Sequence, residues 1–265
     1  MIDTHCHLTF PEFRGKASEI LDEAAAHGVR GAITVATTID DAERGLELAR
    51  SDPRIRSTAG VHPLYSDRPA AEIRDWERLR RCGLDPRCVA WGELGLDRHY
   101  KTPSQEAQRS VLDEQLAAIA RWRAEGLAKP VVIHCREAFD ELLPILAASG
   151  LPRDRFVFHC FTAGPREARL VLDFGAWISF TGVVTFRNAT EVAEAARLVP
   201  EDRLMAETDS PFLTPEPHRT VRPNRPRFVA DVIRRLAELR GTGAAALGDR
   251  LDENAERFFG FRPPA

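Results

Sequence analysis

The sequence predicts a single-domain α/β protein folded as a TIM (β/α)8 barrel. Eight short runs of β-branched or apolar residues are each bounded by turn residues, and the segments between them carry helical periodicity. Composition does not break anywhere along the 265 residues, so residues 1–265 read as one unit. That length suits an α/β barrel, which commonly runs to roughly 250 residues. Eight repeated strand–helix units imply a parallel sheet, and eight is the number at which such a sheet closes. An open doubly wound sheet is the second choice, but no G-x-G-x-x-G follows the first run and no P-loop sequence is present.

In order, the strand candidates are Ile2 to His7, Gly31 to Ala36, Arg56 to Val61, Val89 to Leu94, Val131 to Cys135, Phe156 to Cys160, Ala176 to Phe180 and Leu204 to Glu207. Helical spacing recurs between them, as in Ile20, Leu21 and Ala24, in Leu112, Leu116, Ile119 and Ala120, and in Val229, Val232, Ile233 and Leu236. Arg14 to Ser18, Tyr65 to Pro69, Asp97 to Ser104 and Thr214 to Pro226 read as loops. The closing Phe258-Phe259-Gly260-Phe261 is expected to cap the barrel exterior.

A net charge of -3 and a pI near 6.3 argue against a protein that coats nucleic acid through a basic face, though not against a nuclease. Of the 37 basic residues only Lys16, Lys101 and Lys129 are lysines, a bias that suits bidentate contacts to phosphate. The five cysteines form no C-x-x-C pair, so neither a disulfide framework nor a zinc ribbon is indicated. The first residues lack a basic start and an apolar run, and no later stretch approaches ~18 apolar residues. A cytoplasmic protein, with no membrane contact and no stable protein partner, is therefore expected, acting as a monomer.

Barrel active sites are built where strands finish. The first run ends in His5-Cys6-His7, and the two-residue period of a strand puts both imidazoles on one side with Cys6 on the other. The fifth and sixth end at His134 and His159, the eighth in Glu207-Thr208-Asp209, and the fourth in Glu93-Leu94-Gly95-Leu96-Asp97. A lone histidine at a strand end is usually a core residue, and an Asp there often caps a helix. So many at the ends of barrel strands point instead to metal. Divalent cations relieve the burial cost of the carboxylates and use neutral imidazole lone pairs; the mixed N/O set suits Zn2+, Mn2+ or, with added waters, Mg2+. A carboxylate placed as Glu93 is can bridge two cations about 3.5–4 Å apart, a spacing matched to phosphoryl and acyl hydrolysis. Cys6, Cys135 and Cys160, each beside a histidine, are expected to face the helices as small fillers.

These motifs resemble the TatD family of metal-dependent deoxyribonucleases, a branch of the amidohydrolase-like barrels. The matching pieces span nearly the whole chain: Asp3-Thr4-His5-Cys6-His7-Leu8, Gly60-Val61-His62-Pro63, Gly92 to Asp97, Pro130 to Arg136, His159-Cys160-Phe161, Glu207 to Leu213, and Pro217-His218-Arg219 with Asn224-Arg225-Pro226. The resemblance implies that His5, His7 and Asp209 hold one cation, that His134 and His159 hold a second, and that Glu93 bridges them. Many amidohydrolases use a carbamylated lysine on strand 4 for the bridge; Glu93 stands there in this chain, and Lys129 lies at the start of strand 5.

The expected reaction is hydrolysis of DNA phosphodiesters. Asp209 orients the attacking water and takes its proton, while His62 and Arg136 donate hydrogen bonds to phosphate. Glu207, on the same side as Asp209 but deeper, is expected to support a ligand rather than bind metal. Phe161 and Phe212 are candidates for base stacking or plain packing, and Arg219, Arg222, Arg225 and Arg227 for a DNA-backbone track or a solvated loop. The alternative function is a barrel hydrolase of small amide, ester or aminoacyl bonds. A noncatalytic binding module fits less well, because the ligand set is complete and open to water.

Overall fold

The computed structural model describes residues 1–264, and in it eight parallel strands follow one another in sequence order around one sheet. They are β1 (Ile2–Cys6), β2 (Gly31–Thr34), β3 (Ile55–Ala59), β4 (Cys88–Asp97), β5 (Val131–Arg136), β6 (Phe156–Phe158), β7 (Trp177–Phe180) and β8 (Leu204–Ala206). The sheet closes just beyond β8, where Ser210 bridges to Cys6. There the Asp209 N–H donates to the His5 carbonyl at 2.9 Å and the His7 N–H to the Ser210 carbonyl at 2.8 Å. The (β/α)8 barrel expected from the sequence is the fold.

The helices are α1 (Ala17–Ala25), α2 (Ile39–Ser51), α3 (Ala70–Ile73), α4 (Trp76–Leu84), α5 (Gln105–Ala124), α6 (Phe139–Ala148), α7 (Pro165–Phe174), α8 (Thr190–Leu198), α9 (Val229–Arg240) and α10 (Ala244–Phe259). Thr38, Asp75 and Ser104 cap α2, α4 and α5 by accepting from the N–H three residues on, which satisfies a donor the helix cannot. Among the described residues no helix is long and apolar enough to cross a membrane.

Alternation along the strands separates two apolar layers. Ile133, Phe156, Phe158 and Ile178 pack outward with Leu116, Leu142, Val171 and Leu236 of the helices. Ile2, Ile33, Val132, Val157, Trp177 and Met205, one from each of six strands, pack inward together with Phe258, Phe259 and Phe261. The terminal aromatic run therefore plugs the barrel interior at the strand starts and does not cap its exterior. Gly260, at φ +68°, ends α10 and turns the chain, and Phe261 enters fully buried beneath Gly31, where a Cβ would lie 2.9 Å from its ring. Without that ring the lower end of the barrel would open to water.

Strands β1 and β4 each carry one extra residue relative to a neighbour, between Asp3 and Cys6 and between Trp91 and Leu94. Such an insertion flips the pleat. Ile2 and His5 can then both face the axis although they are three positions apart, as can Ala90 and Glu93. The observed β6 and β8 are shorter than the sequence predicts, so His159 and Glu207 sit one residue past their strands, whereas β4 extends to Asp97. Gly95, at φ +150°, faces His134 across the β4–β5 ladder, and any side chain there would run into the His134 carbonyl oxygen.

Replacing the interior plug, Phe261→Ala, should lower the unfolding free energy by about 3–5 kcal/mol, the usual cost of deleting a buried aromatic ring. A urea unfolding midpoint equal to that of the unaltered chain would contradict the plug.

Candidate metal centre

His7, His62, Glu93, His134, His159 and Asp209 converge at the carboxyl-terminal end of the barrel, on the floor of a cleft of about 540 Å³, with the fully buried His5 among them. Glu93 is at the centre and 1% exposed. Its Oε1 lies 2.6 Å from His159 Nε2, 2.8 Å from His134 Nδ1 and 3.3 Å from His62 Nε2, and its Oε2 is 3.5 Å from His5 Nε2. Asp209 Oδ1 stands 3.3 Å from His7 Nε2 and 3.7 Å from His5 Nε2. The two oxygens of one carboxylate thus face two groups of donors.

Burial alone would raise the Glu93 carboxyl. The charge of His159, with hydrogen bonds from His134 and His159, outweighs it and holds Glu93 well below the usual carboxylate range. Asp209 is likewise lowered against its burial, chiefly by the hydrogen bond with His7. Burial depresses His5; the same burial is overcome at His159 by Glu93, and at His7 and His134 by hydrogen bonds to Asp209 and Asp97, so these three are raised.

His7 and His134 are oriented from behind, which fixes the nitrogen that each turns to the centre. His7 Nδ1 donates to the Val35 carbonyl at 2.9 Å, leaving Nε2 inward. His134 is turned the other way, with Nε2 2.9 Å from Asp97 Oδ2 and Nδ1 inward. Glu207 Oε1 lies 3.3 Å from His159 Nδ1, close but not aligned as a hydrogen bond, and accepts the Cys160 N–H at 2.6 Å. Behind β1, Asp3 accepts from the Thr208 N–H and hydroxyl, tying β1 to the segment that carries Asp209. Sequence reasoning missed Asp97 and Asp3 as supports; the signal for Asp97 was its place four residues beyond Glu93 on one strand.

His62 differs from the other four histidines. Its Nδ1 accepts the Leu64 N–H at 3.0 Å, and burial pushes its pKa down to about 4. The neutral ring therefore carries its proton on Nε2, and that nitrogen donates instead of binding a cation.

Metal fits this donor set. The buried Nε2 of His5 has no hydrogen-bond partner although two carboxylate oxygens stand 3.5 and 3.7 Å away, an arrangement suited to a cation shared among them. Three sets of ligand atoms lie within 4.8 Å of one another: His5, His159 and Asp209; His5, His7 and Glu93; and His62, Glu93 and His134. The tautomer of His62 removes it from the last set.

The remaining candidates divide. Arg136 lines the cleft, its guanidinium 5.3 Å over the Tyr100 ring. Phe212 lines it as well and is 49% exposed, but Phe161 is buried against Phe139 and Phe180 and serves only packing. The loop arginines line no part of the cleft. Arg225 and Arg227 pair with Glu23 of α1, Arg222 donates to the Thr214 hydroxyl, and Arg219 lies over Phe186. Cys6 packs toward α1 as expected, whereas Cys135 and Cys160 border the cleft; burial raises all three thiols and keeps them protonated.

An eight-stranded barrel with imidazoles and carboxylates gathered at its carboxyl-terminal end has the build of a metal-dependent hydrolase. The chain belongs to the TatD-related DNase family, whose model matches residues 2–260. It is 37% identical to the uncharacterized metal-dependent hydrolase YcfH of Escherichia coli K12, over 98% of this chain and 95% of that one. It is 34% identical to the 3'-5' ssDNA/RNA exonuclease TatD of Enterobacter lignolyticus, over 98% and 99% of the two chains. The crystal structure of the TatD homolog YJJV from Escherichia coli K12 superposes with a TM-score of 0.89 at 31% identity, covering 99% of this chain and 98% of that one.

Proposed function

We propose that this metal-dependent hydrolase cleaves phosphodiester bonds of nucleic acid, DNA in particular, with two divalent cations. The observation that carries the reading is the two-sided placement of Glu93, whose oxygens meet His134 and His159 on one side and His5 on the other. His5, His7 and Asp209 would hold one ion, His134 and His159 the other, with Glu93 between them. Mg2+, Mn2+ or Zn2+ there would supply Lewis-acid activation of water and neutralise charge on the phosphate. The exonuclease name carried by the Enterobacter relative supports the substrate class.

The side chains do the rest. Asp209 orients the attacking water and accepts its proton; its lowered pKa keeps it ionised and ready. His62 presents a neutral Nε2–H toward the centre and donates to a phosphate oxygen as charge develops. Arg136, with no carboxylate within 4.0 Å among the described residues, has donors free for a second phosphate oxygen. Asp97 holds His134 in register, and Glu207 stands behind His159. The small amide, ester or aminoacyl hydrolase remains the competing outcome, since a cleft of about 540 Å³ would also enclose a small molecule.

Incubation with end-labelled oligonucleotides and Mg2+ or Mn2+ should give cleavage that chelators abolish. Asp209→Asn and Glu93→Gln should each lower kcat by about 10³-fold or more, and His62→Ala by about 10²-fold. Equal digestion by all three would disprove the site, and turnover of small esters or amides alone would favour the competing reading.

The supports give a separate readout. Asp97→Asn should weaken divalent-metal affinity about 10–100-fold by competition with a chromophoric chelator, and excess metal should restore most of kcat. Because carboxylates hold His7, His134 and His159 above the ordinary imidazole pKa, a cation must displace protons from them. Metal affinity should therefore climb as pH rises through and above about 6.5, with proton release visible as buffer-dependent binding heat. A pH-independent affinity would contradict those shifts.

A further inference from the structure

The described residues expose three large apolar side chains: Leu84 at 55%, Tyr100 at 50% and Phe212 at 49%. Two of the three border the same cleft. Tyr100 follows β4 and Phe212 follows β8, strands four places apart in an eight-membered barrel, so the rings stand on opposite rims with the carboxylate–imidazole floor between them.

Both rings are held in place. Tyr100 has Arg136 over its ring at 5.3 Å and His99 edge-on at 5.0 Å, and its N–H donates to Asp97 Oδ1 at 3.2 Å. Phe212 meets Phe10 edge-on at 6.0 Å and His7 at 6.3 Å. The buried Asn224 amide pins its loop by donating to the carbonyls of Thr208 and Phe212. Core packing explains neither ring, because half of each is in water. Rigid aromatic faces on an open rim are built for contact with another flat apolar group.

We propose that Tyr100 and Phe212 are nucleobase-stacking sites that grip the nucleotides on either side of the scissile phosphate in a single strand. This rests on the phosphodiesterase reading above. A phosphate seated over the floor leaves the flanking bases at the rims, where each π face meets a ring whatever the base identity. Bases in a duplex are already stacked on one another, so two such sites select unpaired strands.

The test compares KM and kcat for short single-stranded oligonucleotides, intact or carrying an abasic sugar on one side of the cleaved bond. Tyr100→Ala and Phe212→Ala should each raise KM for the intact strand about five-fold or more with a smaller change in kcat. Each loss should disappear when the base on the corresponding side is already missing, and Tyr100→Trp and Phe212→Trp should restore KM. Leu84→Ala, an equally exposed apolar residue outside the cleft, should leave KM unchanged. Thermal unfolding at the same temperature for all variants would show that the fold is intact.

If the alanine variants keep the original KM, or weaken intact and abasic strands alike, the stacking sites are overturned while the nuclease reading stands. If the unaltered protein cleaves no oligonucleotide with any of the three metals, both fall together.

Discussion

A carboxylate sealed inside a protein is costly unless positive charge surrounds it, and Glu93 is such a group. No lysine or arginine lies within 4.0 Å of it among the described residues; its neighbours are the imidazoles of His5, His62, His134 and His159. Without metal, protons on raised histidines such as His159 supply the compensation. The barrel's upper end is therefore organised around one negative charge that protons satisfy poorly and cations satisfy well. The rings are aimed from behind by Val35, Asp97 and, less directly, Glu207 because their inner nitrogens must converge on that charge.

The two ends of the barrel divide the work that stability and chemistry require. At the strand starts, an apolar layer sealed by Phe258, Phe259 and Phe261 supplies a rigid interior. At the strand ends the interior becomes polar. The change of character occurs within single strands, and the extra residues of β1 and β4 make it possible: Ile2 and Ala90 belong to the plug while His5 and Glu93 reach the site from the same face. The closing seam adds the last constraint, since the backbone bonds that join Asp209 and Ser210 to His5 and His7 also bring their side chains together.

Strand periodicity made the fold and the converging side chains legible. His5 and His7 share a face because Cys6 turns to α1, and His134 and His159 stand out as lone polar residues ending apolar runs. Less readable was whatever depends on backbone irregularity or on contacts distant in sequence. An extra residue in a strand leaves no compositional mark, so the facing of Ile2 and Ala90 could not be inferred from alternation. The terminal aromatics gave an apolar signal without an address, because inside and outside of a barrel are both apolar. The loop arginines are a related case: charge shows in sequence, but Glu23, the partner of Arg225 and Arg227, lies about two hundred positions away. Asp97 could be read as a strand end but not as the anchor of His134, since only the β4–β5 register sets them side by side.

That register also joins the candidate metal centre to the cleft rim. Asp97 spends one oxygen on His134 and uses the other to accept the N–H groups of His99 and Tyr100, so one carboxylate fixes both a floor ring and a rim ring. Across the barrel the Phe212 N–H donates to the Asp209 carbonyl at 2.9 Å, and Asn224 clamps the segment between them. Each rim aromatic is thus one short, hydrogen-bonded step from a floor side chain. A substrate that touches both rims would have its reacting bond placed by the same two segments that place His134 and Asp209. Positioning and chemistry then share a frame, which is what keeps reacting atoms in line without further motion.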